Sequence, residues 1–415
     1  MRRKSQTIAW IVLILSFLAC IGLAVGTPIT VRWYINNATR PLVVTLEPRA
    51  GIVTLQPKGR GGQQVIADPV SVPTRSDVIL SSDDAEALLI FYQPEQRGTP
   101  VSTLQIHGQT DLNFLSGRNP RFERSPLPHR ISLRVNRSEK VQISVGGNGR
   151  STILEITTPQ GNFALEEGSY TVAVDRERTE IIVSNGLARV PDPDGGAIVE
   201  MGAGQFTELT SEGRGPVRSS QSRGILRNGD FESPPEPYWE IFTQRKQFNE
   251  ESDGEVLWVD EERSYLIFER EGVGHIERGV TQEVNRNVQG IKSLRVTGLI
   301  RVDDQSLPYC GAAGTECPVM IRFTYLDAQG GLHEWLQGFY TKEGDGYSDV
   351  CITCEGGPRH IRVPAGAWYP FDSSDLLPVL LARGAEPTTI LKIDVFASGH
   401  SFSAAVDEVA VMVEE

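Results

Sequence analysis

Residues 152–209 read TILEITTPQGNFALEEGSYTVAVDRERTEIIVSNGLARVPDPDGGAIVEMGAGQFTEL. Apolar and polar side chains alternate with a period of two, so Tyr170, Val172 and Val174 share one face. Glycines punctuate the runs. Pro159-Gln160-Gly161 predicts a turn, and Glu167-Gly168 permits a positive φ ahead of a strand from Ser169. Asn185-Gly186 predicts a hairpin between strands over 181–184 and 187–190, and Gly202-Ala203-Gly204 predicts the last one. Short strands joined by glycine turns are an antiparallel β pattern. The stretch offers no nucleophile with an adjacent base and no phosphate loop.

The same alternation recurs outward from this segment. Leu294, Val296, Ile300 and Val302 share a face opposite Arg295, Thr297 and Arg301, and Val319, Ile321, Phe323 and Tyr325 repeat the pattern. No stretch after Pro28 sustains a period of 3.6. The chain therefore reads as all-β, apart from its start. There, Arg2, Arg3 and Lys4 precede an uncharged run from Ile8 to Val25, closed by Pro28. Such a run is about the minimum for a bilayer-spanning helix. The leading cations hold the N-terminus in the cytoplasm and place the rest outside the membrane. Ala24-Val25-Gly26 offers small residues for signal-peptide cleavage, but the apolar run exceeds the usual h-region of about 7–15 residues, which favours a retained anchor.

Composition narrows the partners. The 415 residues carry a formal net charge of −13, which disfavours nucleic acid and anionic lipid. Residues 210–224, TSEGRGPVRSSQSRG, hold Val217 as their one large apolar side chain and read as a linker. The expected organisation is a cytoplasmic stub and anchor (1–28), a β domain (29–209), the linker (210–224) and a second β domain (225–415). Cys310, Cys317, Cys351 and Cys354 lie in the second domain. In an exported chain they read first as two disulfides of open pairing, with a four-thiolate zinc site as the alternative. The fifth cysteine, Cys20, reads as an ordinary apolar residue of the helix.

The first domain resembles the FecR domain, the extracytoplasmic part of a bacterial iron-uptake signalling regulator. The residues that carry this are Thr158-Pro159-x-Gly161, Glu167-Gly168-Ser169-Tyr170-x-Val172, the run from Thr179 to Val190 with Gly186 and Ala188, and Gly202-Ala203-Gly204-Gln205. The resemblance spans roughly residues 46–209 and implies a membrane-tethered β-sandwich. The stub before the helix is too short for the family's anti-sigma segment, so sigma-factor capture is not expected.

The second domain opens with Asn228-Gly229-Asp230-Phe231-Glu232 and closes with Asp407-Glu408-Val409. It resembles the galactose-binding-like jelly roll of carbohydrate-binding modules. Asp230, Glu232 and Asp407 are the candidate carboxylates for a structural Ca²⁺, provided the first turn and last strand meet. Trp335, Trp368 and Tyr369 are the candidate platforms for a glycan, since sugars stack on exposed rings. No histidine pair has metalloprotease spacing, and Gly-x-Ser-x-Gly is absent. The expectation is a non-enzymatic, membrane-anchored protein of the bacterial envelope, with the bulk of the chain extracytoplasmic. It binds glycan or an envelope protein, or it senses an envelope signal.

Overall fold

The structure, a computed structural model, describes residues 2–59, 62–94, 100–146, 149–192, 197–219, 223–245, 252–260, 263–345 and 347–414. Strands account for 56% of the chain and helix for 9%, which establishes the all-β class. Most of the helix is one element, Arg2–Asn37. It runs past Pro28 rather than ending there. Pro28 lacks the N–H that would reach the Ala24 carbonyl, and two residues on, the Thr30 hydroxyl donates to the Gly26 carbonyl at 2.7 Å. The span Trp10–Asn37 is long and apolar enough to cross a membrane, with a mean hydropathy of 2.4 and no burial in its most apolar window.

The last helical turn is fastened to the first β module. Tyr34 meets Phe122 edge-on at 5.8 Å, Arg121 donates to the Tyr34 hydroxyl at 3.1 Å, and Ser125 donates to the Asn36 carbonyl at 2.7 Å. The chain then enters the strand Thr39–Pro41, which pairs with residues 118–120.

The strands up to Ser219 form one continuous pairing network around a core that includes Leu46, Phe91, Phe114, Leu133, Tyr170 and Val183. Long bent strands carry the chain from one layer to the other. His129–Val145 pairs through its first half with Thr152–Thr158 and through its second half with Gly161–Val174. Two of the glycine signals fall inside strands: Gly168, expected just ahead of one, and Gly186, expected in a hairpin. Gly161–Val174 and Arg178–Pro191 are continuous, and Gly168 faces Gly186 where both bend. A Cβ on Gly186 would lie 2.1 Å from the Glu167 carbonyl oxygen, and one on Gly168 would lie 2.3 Å from that of Asn185. The two glycines mark a corner rather than a hairpin at Asn185-Gly186, since a bent strand and a tight turn both take a glycine at positive φ. The buried Tyr170 hydroxyl fills the corner, accepting from Leu187 N–H at 3.0 Å.

The second module is a sandwich of two antiparallel sheets. One runs Glu255–Asp260, Ser264–Arg270, Phe402–Glu414, Ser293–Gln305, Tyr369–Asp372. The other runs Glu240–Arg245, Ile276–Asn287, Thr389–Gly399, Val319–Leu326, Leu332–Tyr340, with Ile361–Arg362 added in parallel at its edge. Residues 210–224 are pinned at both ends. Gly213–Arg214 and Arg218–Ser219 fold back onto Gln205–Thr210, and Arg223–Gly224 pairs with the last strand. Their composition supplies no core, but backbone pairing needs none. The part of this predicted linker at 220–222 lies outside the described residues, as does Met1 of the predicted stub.

The modules share apolar surface. In the strand Glu86–Tyr92, Ala87, Leu89 and Phe91 join the first core, while Leu88 and Ile90 join the second. A run of apolar residues without alternation is what a strand covered on both faces requires.

Candidate functional site

The opening and closing elements of the second module meet. Val409 N–H donates to the Gly229 carbonyl at 2.7 Å, and a Cβ on Gly229 would lie 1.9 Å from the Val409 oxygen. Two indoles hold the opening turn in place. Trp239 donates to the Asn228 carbonyl at 2.9 Å, and Trp258 to that of Phe231 at 2.8 Å. In the last strand, Asp407 pairs with Leu299 and Ala410 with Thr297, so the last strand carries one extra residue. Glu408 occupies this bulge with φ +51°. A bulge re-aims side chains, and here it sends the Glu408 carboxylate to the first module. Ser169 donates to one of its oxygens, and Asn185 donates to the other at 3.0 Å.

Two more polar links join the modules. Lys140 reaches Asp372 at 2.9 Å, and Gln105 donates to the Tyr369 hydroxyl at 2.7 Å. A cleft of about 470 Å³, lined by Ser169, Asn185, Glu408 and Asp372, has walls from both modules. Gln142, Ser169, Thr171 and Asn185 line the first wall, and Asp230, Arg295, Asp372 and Glu408 the second. Apolar patches from Ile143, Leu299 and Met412 complete it. Burial alone would raise the Asp372 carboxyl, but Lys140 and Arg295 outweigh it and hold the group below its ordinary value. Asp372 is therefore a fixed anion. Mixed polar and apolar linings at domain boundaries are the common setting of small-ligand sites.

Arg263 sits behind Glu408, 3.3 Å from Asp407 and 3.5 Å from Glu408. Burial first, then the Glu408 charge, pushes the Asp407 carboxyl well above its usual range, against the pull of Arg263. Asp407 is one of the three carboxylates expected to hold a structural Ca²⁺. Asp407 is buried and already faces a guanidinium, while Asp230 and Glu232 are exposed. A Ca²⁺ held by all three would have to compete with Arg263 for the Asp407 carboxylate. Only Asp230 lines the cleft.

Two of the three proposed ring platforms are core residues. Trp335 is 7% exposed and stacks on Phe323 at 5.2 Å. Tyr369 is 2% exposed, and burial pushes its hydroxyl above the ordinary tyrosine range. Trp335 packs into the sandwich core, and Tyr369 packs beside Phe339 with its hydroxyl held by Gln105 of the first module. Trp368 is half-buried. Arg301 lies over its ring at 4.9 Å, and Tyr265 meets it edge-on at 5.5 Å.

The cysteines pair locally, Cys310 with Cys317 and Cys351 with Cys354. His360 approaches the first pair, and the three ligand atoms lie within 4.8 Å of one another. Both imidazole nitrogens are committed. Gly338 N–H donates to Nδ1 at 2.9 Å, and Nε2 donates to the Gly314 carbonyl at 2.7 Å. The cluster is a disulfide braced by a neutral histidine, and the four-thiolate zinc alternative is not formed.

The residues sequence reasoning missed are Ser169, Asn185 and Glu408. Ser169 and Asn185 stand beside glycines whose motifs predict backbone shape, and Glu408 stands in the closing motif beside the calcium candidate Asp407.

No protein-family model matches the chain, and no curated protein sequence does. Solved structures match in part. Two are of a putative anti-sigma factor from Parabacteroides distasonis. One has a TM-score of 0.23 at 11% identity over 29% of this chain and 51% of that one, and the other 0.25 at 11% over 37% and 68%. This chain thus spans about half the length of the first of them. TmCBM61 in complex with β-1,4-galactotriose matches with a TM-score of 0.26 at 15% identity, over 46% of this chain and 99% of that one. A family 11 carbohydrate-binding module of a cellulosomal cellulase from Clostridium thermocellum gives 0.27 at 9%, over 46% and 93%. Likeness at this level carries no function across.

Proposed function

We propose that this chain is a membrane-anchored binding protein of the bacterial envelope that takes a polyhydroxylated ligand, such as a glycan end, in the cleft between its modules. The single observation behind this reading is the cleft itself, about 470 Å³ with hydroxyl, amide, carboxylate and guanidinium groups converging from two walls. Alternating donors and acceptors beside small apolar patches suit sugar hydroxyls and ring faces. The site does no bond-breaking chemistry in this reading. Asp372 is held as an anion and Glu408 is tied to Ser169 and Asn185, so neither serves as a general acid. Placement outside the membrane is supported by the exposed apolar helix and by two disulfides, which persist in oxidising compartments.

The test is a glycan array with the full chain in detergent micelles. Asn185→Ala with Asp230→Asn is expected to weaken binding of any responding glycan by about tenfold or more, the loss of one or two hydrogen bonds to charged or polar partners. Binding that ignores the cleft variants and disappears with Trp368→Ala moves the ligand to the half-exposed ring. An array without any response refutes the glycan reading.

A second reading, envelope sensing, is favoured by the fastening of the helix to the first module through Tyr34–Phe122 and Ser125–Asn36. A ligand that tightens the cleft would then reach the membrane through a rigid joint. Ligand-dependent crosslinking of a membrane partner to the helix checks it.

A further inference from the structure

The chain is acidic overall, yet the end of the first module that meets the helix is basic. Tyr34 lies one turn from the helix end and touches Arg121 and Phe122, so the loop over 121–128 sits where the helix leaves the bilayer. Trp10 and Trp33 are each 65% exposed, and 23 helical positions separate them, roughly 35 Å at 1.5 Å per residue. That is the spacing of the two aromatic belts of a membrane-spanning helix. Around this exit point stand Arg32, Arg118, Arg121, Arg124 and Arg130, all exposed. The nearby acids are Glu123, exposed in the loop, and Glu155, which pairs with Arg130 at 3.5 Å. Arg32, Arg118 and Arg124 have no carboxylate partner among the described residues.

The strand register adds an independent sign. Arg118 and Arg130 are directly opposite each other on neighbouring antiparallel strands. Like charges in that position destabilise a sheet. Two cations held side by side, beside three more, form a site for an anion with several oxygens. We infer that this collar engages the phosphate-bearing headgroups of anionic phospholipids in the leaflet from which the helix emerges. Net charge misleads here because screening makes the local field decide. Charges more than about 8–10 Å away contribute little at ordinary salt.

The inference rests on the retained-anchor reading, and one experiment separates the two. The full chain is placed in nanodiscs of phosphatidylcholine alone or mixed with phosphatidylglycerol, and backbone hydrogen exchange is followed over 118–130. Exchange is expected to slow by about threefold or more in the anionic discs, and high salt should erase the difference. Arg118→Glu with Arg124→Glu should erase it too, while Arg176→Glu, on an exposed turn outside the collar, should not. Equal exchange in both lipids overturns the inference and leaves the anchor standing. Slowing by inorganic phosphate in phosphatidylcholine discs overturns the lipid assignment in favour of a free anion. Failure of the chain to enter discs at all overturns the anchor, and the collar with it.

Discussion

The two walls of the cleft are built on different principles. The first module contributes neutral donors, Ser169, Asn185 and Gln142, from regular or bent strands. The second contributes charge, with Glu408 on a bulge and Asp372 and Arg295 on paired strands. The module that is shaped by backbone geometry holds the hydroxyls and amides, and the module that stores strain holds the carboxylates. Each completes the other, since Glu408 would lack two of its hydrogen bonds without Ser169 and Asn185. The contrast implies that the first wall fails through its glycines and the second through its bulge and its charge pairs.

The largest effect should come from the glycine corner. Gly186→Val adds a side chain that meets the Glu167 oxygen, the Tyr170 hydroxyl and Gly168 at once, all within 2.8 Å. Overpacking on fixed backbone with a β-branched residue at φ +88° should cost about 4 kcal/mol or more. Calorimetry of the full chain measures it. A loss under about 1 kcal/mol would mean that the corner relaxes easily, and the first wall would not depend on its glycines.

The difference between the walls also governs what the sequence could reveal. Alternation alone identified strands on both sides, because a half-wet sheet imprints its period on the chain. Asn185-Gly186 pointed to the right residues and the wrong topology, since a corner and a hairpin both take a glycine at positive φ. The run Ala87-Leu88-Leu89-Ile90-Phe91 carried the interface signal in plain view: five apolar residues in a row need cover on both faces. Glu408 was invisible, because a bulge shifts strand phase by one and no residue type betrays it. The rings failed for a related reason. Trp335 and Tyr369 are buried by packing that cannot be assigned without knowing which neighbours pair.

Reduction of the disulfides should affect the second module alone. The closed loops are short, with separations of 7 and 3 residues. By loop entropy they are worth about 2.5 and 2 kcal/mol respectively. Both cover the rim where His360 binds Gly338 and Gly314. Hydrogen exchange after mild reduction should quicken around 305–317 and 349–360 and leave 161–191 unchanged. Equal quickening in both regions would show that the shared apolar strand Glu86–Tyr92 couples the modules into one unfolding unit.

The smallest effect is the response to acid, and it sharpens the contrast further. In the first module, burial and then Arg150 push His129 down to about 4. Between that value and the unfolded imidazole's, near 6.5, the unfolded chain takes a proton that the folded one refuses. The contribution of neutral His129 is therefore complete above about pH 6.5 and fades as pH falls toward 4. His333 in the second module behaves in the opposite way. Asp327 at 2.9 Å and Glu355 at 2.7 Å raise its value, so its contribution is present below about pH 6.5 and fades as pH rises through the raised one. It is a surface clamp, and screening keeps it under about 1 kcal/mol. Lowering the pH from 7 to 5 should loosen the first module near His129, by about 1–2 kcal/mol in exchange free energy, while the turn over 327–331 holds or tightens. His129→Gln should flatten the first response and leave the second untouched. If acid loosens both regions alike, the buried His360 outweighs the clamp, and the modules share one pH sign despite their different walls.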